Sequence, residues 1–180
     1  MKIITNDEAT LSLPCEPCRN LQEGLGIARK LRATLQKANK AATAAHRKSV
    51  WMKECDKDQP DPSLIVGIGL SANQIGIRKA VCLIEIDGYS LVLVNPKVVR
   101  ASPELFDFEE LCLSFPGRKF STQRHIWMEV TALNHKETLR FDVNSPKGLL
   151  KTVAVGHEIG HLQGKLPSEI IDVCGGEAHA

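Results

Sequence analysis

The segment His157-Glu158-Ile159-Gly160-His161 restricts this chain more than any other stretch. Residues four apart on an α-helix lie one above the other, so both imidazoles reach a single metal ion only if the segment is helical. The Glu between them then lies beside a water bound to that ion. The flanking sequence supports a helix from Lys147 to about Gly164, because Leu149, Leu150, Val153 and Ala154 recur on the side that carries His157 and His161. Two histidines do not complete a metal site, so the place of the third ligand decides what chemistry is open to the chain.

Downstream candidates fail. In the extended pattern HExxHxxGxxH, Gly164 falls at the glycine but Pro167 takes the ligand position and offers no donor. A glutamate on a following helix would have to be Glu169 or Glu177, and the short stretch around Gly175-Gly176 leaves little room for such a helix. Upstream, Cys112 sits between a strand-like stretch and the turn at Pro116-Gly117. A thiolate there completes a tetrahedral Cys-His-His set and leaves one coordination position for water or substrate.

The other cysteines carry less. With no apolar leader near the N-terminus, the six are read as thiols rather than a disulfide framework. Cys82, within Lys79–Ile86, reads as a small buried apolar residue, and Cys55 and Cys174 carry no pattern. Cys15-Glu16-Pro17-Cys18 lacks both the strand-to-helix setting of a redox pair and the second pair of a zinc ribbon, so it reads as a loop.

Residues 1–180 are expected to form a single domain, since 180 residues with 43% apolar and 24% charged side chains suit one core. A net charge of +2 gives no reason to expect a nucleic-acid partner, and no run is long and apolar enough for a membrane span. Residues 1–20 look irregular. Leu25, Ala28, Leu31, Leu35 and Ala38 predict an amphipathic helix over about 24–45, followed by a solvated loop at Cys55–Pro62. A glycine-punctuated apolar stretch, Ile65–Gly76, comes next. Strands are expected at Ala80–Ile86 and Tyr89–Val94 around an Asp87-Gly88 hairpin, then at Lys97–Arg100, Ile126–Leu133 and Thr138–Val143. The order argues for an α+β fold, with antiparallel sheets packed around a C-terminal metal-binding HExxH helix and an N-terminal amphipathic helix.

Three motifs in order then resemble those of the peptide deformylases. Gly67-Ile68-Gly69-Leu70-Ser71-Ala72-Asn73-Gln74 is similar to GxGxAAxQ, with Ser71 in place of an alanine. Glu110-Leu111-Cys112-Leu113-Ser114 is similar to EGCLS, with Leu111 in place of glycine. His157–His161 is similar to the family's HExxH, with Gly160 where an aspartate is usual.

The resemblance implies a metal-dependent hydrolase that removes the formyl group from the N-terminal formylmethionine of nascent polypeptides. It implies one divalent ion on Cys112, His157 and His161, physiologically iron(II), with zinc, nickel or cobalt able to substitute. Glu158 would act as general base and then acid, with Gln74 and the backbone N–H of Leu113 as oxyanion donors. Gly67, Ile68 and Gly69 would pair with the substrate backbone, and Glu110 is grouped with these substrate-binding residues. Leu150, Val153, Ala154, Ile68 and Phe108 are candidates for an apolar slot, although core packing explains the helix residues equally well. The implied partners are a formylmethionyl peptide and, transiently, the ribosome, with a monomer working in a bacterial-type or organellar cytosol. A small zinc endopeptidase and an inactive metal-binding domain of the same fold are the alternatives.

Overall fold

The computed structural model describes residues 1–52 and 66–167. The loop expected at Cys55–Pro62, along with Glu169, Cys174 and Glu177, lies outside the described residues. Helix α1 (Glu8–Leu11) is followed by α2 (Leu21–Met52). Among the described residues, eight strands come next: β1 (Gly69–Ser71), β2 (Val81–Ile86), β3 (Tyr89–Val94), β4 (Lys97–Ala101), β5 (Leu105–Leu111), β6 (Lys119–His125), β7 (Trp127–Thr131) and β8 (Leu139–Asp142). Helix α3 (Pro146–Leu162) closes the series, and a 3-10 turn, Asn73–Ile75, links β1 to β2.

The strands form three antiparallel sheets, β1-β2-β3, β4-β7-β8 and β5-β6. The fold is therefore α+β. Asp87 and Gly88 join β2 to β3 with φ of 46° and 80°, the positive values that a two-residue type I′ turn demands. The β4–β7 register shifts between Val98 and Arg100, an irregularity of the bulge kind.

Successive side chains of a strand point to opposite faces, and both faces of β2 are covered. Cys82, Ile84 and Ile86 join one core cluster with Met128, Val130 and Phe141 of the second sheet and Ala154, Val155, Ile159 and Leu162 of α3. Val81 and Leu83 point the other way, into a cluster with Ile27, Ala28, Leu31 and Leu35 of α2. Helix α3 is thus held between two sheets, and α2 covers the outer face of the first. Each fully buried leucine or isoleucine contributes about 1.5–3 kcal/mol, so these layers fix the rotation of α3 about its axis.

Local chemistry sets where α3 begins and ends. The Ser145 side chain accepts from Gly148 N, and Pro146 occupies the first turn, where its missing N–H costs nothing. Beyond the C-terminus, Gly164 turns the chain with φ of 76°. A Cβ on Gly164 would overlap the backbone at Ser12 and Pro14, so the glycine also permits a close approach by the N-terminal segment.

The structure corrects several expectations. The N-terminal stretch contains α1, which Asp7 caps by accepting from Thr10 N. Leu25 is exposed, and Ile27 takes its place in the buried stripe of α2. Strand β6 was not expected, because it places Ser121 and Gln123 on its outer face and a threonine and an arginine on its inner one.

Candidate metal centre

Cys112 follows β5, while His157 and His161 share the inner face of α3; all three are buried. Cys112 Sγ lies 3.2 Å from His161 Nε2, which lies 3.1 Å from His157 Nε2. One ligand atom from each residue falls within 4.8 Å of the other two. Buried thiol and imidazole donors converging on one point suit zinc or a neighbouring divalent transition ion. The residues present therefore fit the group expected from the sequence.

A second layer orients these donors. His157 Nδ1 lies 2.6 Å from Glu110 Oε2, so the ring donates there and turns Nε2 toward the cluster. Glu110 in turn accepts from the fully buried Arg124, through Nε to Oε1 and through Nη2 to Oε2 at 2.7 Å, and Thr122 Oγ1 also reaches Oε1. Grouped by sequence with the substrate-binding residues, Glu110 borders the cavity and has both carboxylate oxygens engaged by His157, Arg124 and Thr122. Arg124 and Thr122 escaped sequence reasoning because both come from β6, and nothing local in Lys119–His125 points across the hairpin to Glu110.

The charges follow from this arrangement. Burial alone would raise the Glu110 carboxyl, but hydrogen bonds from His157 and Arg124 hold it at about 2. Burial alone would lower His157, yet Cys112 and Glu110 lift it to about 10 in the metal-free chain. His161 is pushed well below the usual histidine range, by burial first and then by the nearby His157 and Arg124 charges. Glu158 rises to about 7 because its carboxyl is buried, with His157 and a hydrogen bond from Ser71 opposing the rise.

Glu158 and, of the three donors, His157 border a cavity of about 320 Å³. Gly67, Ile68, Gly69, Phe108, Glu110, Leu150, Val153 and Ala154 all line it, as do Gln74, Leu113 and His157. Gln74 is held in one orientation. Its Oε1 accepts from Ser71 N at 2.8 Å, which leaves Nε2 to approach Ser114 Oγ at 3.1 Å and Cys112 Sγ at 3.7 Å. Val153 and Ala154 are buried and Leu150 is exposed at the rim; Ala154 belongs to the core cluster as well as to the cavity wall. Val66 and Leu111, not foreseen as lining residues, add apolar surface at the mouth.

A family model described as polypeptide deformylase matches residues 1–174. The chain belongs to the polypeptide deformylase family. It is 42% identical over 103 residues to the peptide deformylase of Teredinibacter turnerae, covering 56% of this chain and 60% of that protein. It is 37% identical over 103 residues to the peptide deformylase of Cellvibrio japonicus, covering 56% and 59%. The matched stretch thus spans about three fifths of these curated relatives.

The fold is also similar to that of solved deformylases. The peptide deformylase of Synechococcus elongatus in complex with actinonin aligns with a TM-score of 0.68 at 25% identity, covering 94% of this chain and 78% of that one. The class I type b peptide deformylase of Acinetobacter baumannii bound to Met-Ala-Ser aligns with a TM-score of 0.66 at 21% identity, covering 92% and 96%. Among the described residues of this family member, no helix is long and apolar enough to cross a membrane.

Proposed function

We propose that this chain is a metal-dependent hydrolase that removes the N-formyl group from formylmethionyl peptides and releases formate. The observation that carries the reading is the convergence of Cys112, His157 and His161 on one point, with His157 and the neighbouring Glu158 both bordering an apolar cavity. Cys112, His157 and His161 would hold one divalent ion, iron(II) in the cell, with zinc, nickel or cobalt able to replace it. Such an ion polarises a carbonyl and lowers the pKa of a water it binds to about 7.

The protein's own groups do the rest. Glu158 accepts the proton of the attacking water and passes it to the leaving amine nitrogen, a role open to the carboxylate that follows the first histidine donor directly in the helix. Gln74 Nε2 and the Leu113 N–H stabilise the oxygen on which charge develops. The methionine side chain enters the cavity between Leu150, Val153 and Ala154 on one side and Ile68 and Phe108 on the other. Gly67–Gly69 lie along one wall, where absent side chains allow a substrate backbone to approach as a neighbouring strand does. Residues 1–180 act as one catalytic domain, a monomer meeting nascent chains in a bacterial-type or organellar cytosol.

The test is formate release from formyl-Met-Ala-Ser by metal-loaded wild type, Glu158→Ala and Cys112→Ser. Turnover is expected in the wild type alone. Cleavage that survives Cys112→Ser unchanged removes the Cys-His-His site from the chemistry. Internal peptide cleavage without formate release makes the chain an endopeptidase instead.

A further inference from the structure

Ser71, the last residue of β1, is fully buried where the family motif it resembles carries alanine. Its Oγ lies 2.5 Å from Glu158 Oε2 and 2.9 Å from the backbone O of the same residue. One hydroxyl therefore lies within reach of both the side chain and the main chain of Glu158, its single proton directed at or shared between two acceptor oxygens of that residue. Residues two apart on a strand share a face, and Gly69 completes the seat. A Cβ on Gly69 would overlap the Glu158 carboxylate at Oε1, so that oxygen rests directly above the strand. The backbone of Ser71 meanwhile donates to Gln74 Oε1.

We infer that Ser71 is a positioning residue for Glu158, its hydroxyl holding the carboxylate over Gly69 so that one orientation meets every substrate. The inference rests on the hydrolytic reading above. An apolar alanine at this place would leave Oε2 without that donor and the arm held by packing on Gly69 alone. A hydrogen bond to a charged group that also sets geometry is worth about tenfold in turnover. Because Ser71 is not among the residues lining the cavity, substrate affinity is not expected to change.

The experiment compares wild type, Ser71→Ala and Ser71→Cys on formyl-Met-Ala-Ser, with metal content and melting temperature measured on each preparation. Expected for Ser71→Ala is a kcat roughly tenfold lower with KM within about twofold, at unchanged metal content. Ser71→Cys, a weaker donor of similar size, is expected to fall between. Crystal structures of the metal-loaded wild type and Ser71→Ala supply a readout independent of turnover, with the Glu158 carboxylate displaced or in two orientations in the variant. Wild-type kcat in Ser71→Ala, a loss that tracks metal content, or a carboxylate that stays in place overturns the inference. Should Ser71→Ala not fold, wild-type kcat in Ser71→Cys overturns it equally. If the wild type itself releases no formate, the hydrolytic reading fails, and the crystallographic comparison alone decides whether Ser71 seats Glu158.

Discussion

Glu110 Oε2 lies 2.6 Å from His157 Nδ1, and this contact selects the imidazole nitrogen that faces Cys112 and His161. Outer partners of this kind typically govern 10- to 100-fold in metal affinity. Glu110→Ala is therefore expected to weaken zinc binding by about that factor in chelator competition. The same variant leaves Arg124 charged and buried without its partner, which costs about 3–5 kcal/mol in urea unfolding. Glu110→Gln keeps the shape and loses less. Unchanged zinc affinity in Glu110→Ala would mean that something else sets the ring.

Acid should unfold the metal-free protein through the same carboxylate. Its folded value of about 2 lies below the roughly 4.3 of a free glutamate, so its stabilisation is complete above the latter and lost as pH falls toward the former. Urea midpoints of wild type are expected to drop between these limits, and those of Glu110→Gln to drop less. His157 works with the opposite sign. Raised to about 10, it stabilises the metal-free chain fully below about 6.5 and loses that contribution as pH rises through 10. A metal ion must displace this proton, so binding should tighten with pH across that interval and release a proton measurable with an indicator dye.

Gly69→Ala separates catalysis from folding in another way. The added methyl would overlap Oε1, Cγ and Cδ of Glu158 rather than backbone, so the carboxylate arm must leave its seat while the strand stays in place. Turnover is expected to fall on the order of 100-fold, as for misplaced catalytic groups, while the melting temperature moves by only a few degrees. A fully active Gly69→Ala would show that the position of that carboxylate is not critical.

Val153→Phe probes the cavity. Val153 is nearly inaccessible yet borders the cavity, so a larger ring fills the space meant for a methionine side chain. The expected result is a KM for formyl-Met-Ala-Ser raised at least tenfold with zinc content intact, at an overpacking cost of about 1–3 kcal/mol. Unaltered KM would assign Val153 to packing alone.

Sequence and structure agree where local chemistry decides the outcome. Asp87-Gly88 announces its hairpin because few other pairs tolerate two positive φ values in succession. Cys112 could be matched to the histidines because elimination downstream left a single thiol in a plausible setting, and the two ends of that inference meet in space. What stayed hidden depends on partners distant in sequence. A buried arginine at 124 contradicts every composition rule until Glu110 is seen beside it, and the strand that carries it alternates polar residues on both faces. Ser71 stands in the sequence only as a serine in place of an alanine, because the carboxylate oxygen its hydroxyl meets belongs to a residue 87 positions away.

The last turn of the histidine helix is completed by donors from elsewhere. Asn73 Nδ2 bonds the carbonyl of His161 at 2.7 Å, and Cys15 N bonds that of Leu162 at 2.8 Å. Helix ends leave such carbonyls without intrahelical partners. The N-terminal segment thus backs the helix from outside the site: trimming it past Cys15 would strip the Leu162 carbonyl, one residue beyond His161, of its donor while leaving every ligand, base and cavity residue in the sequence untouched.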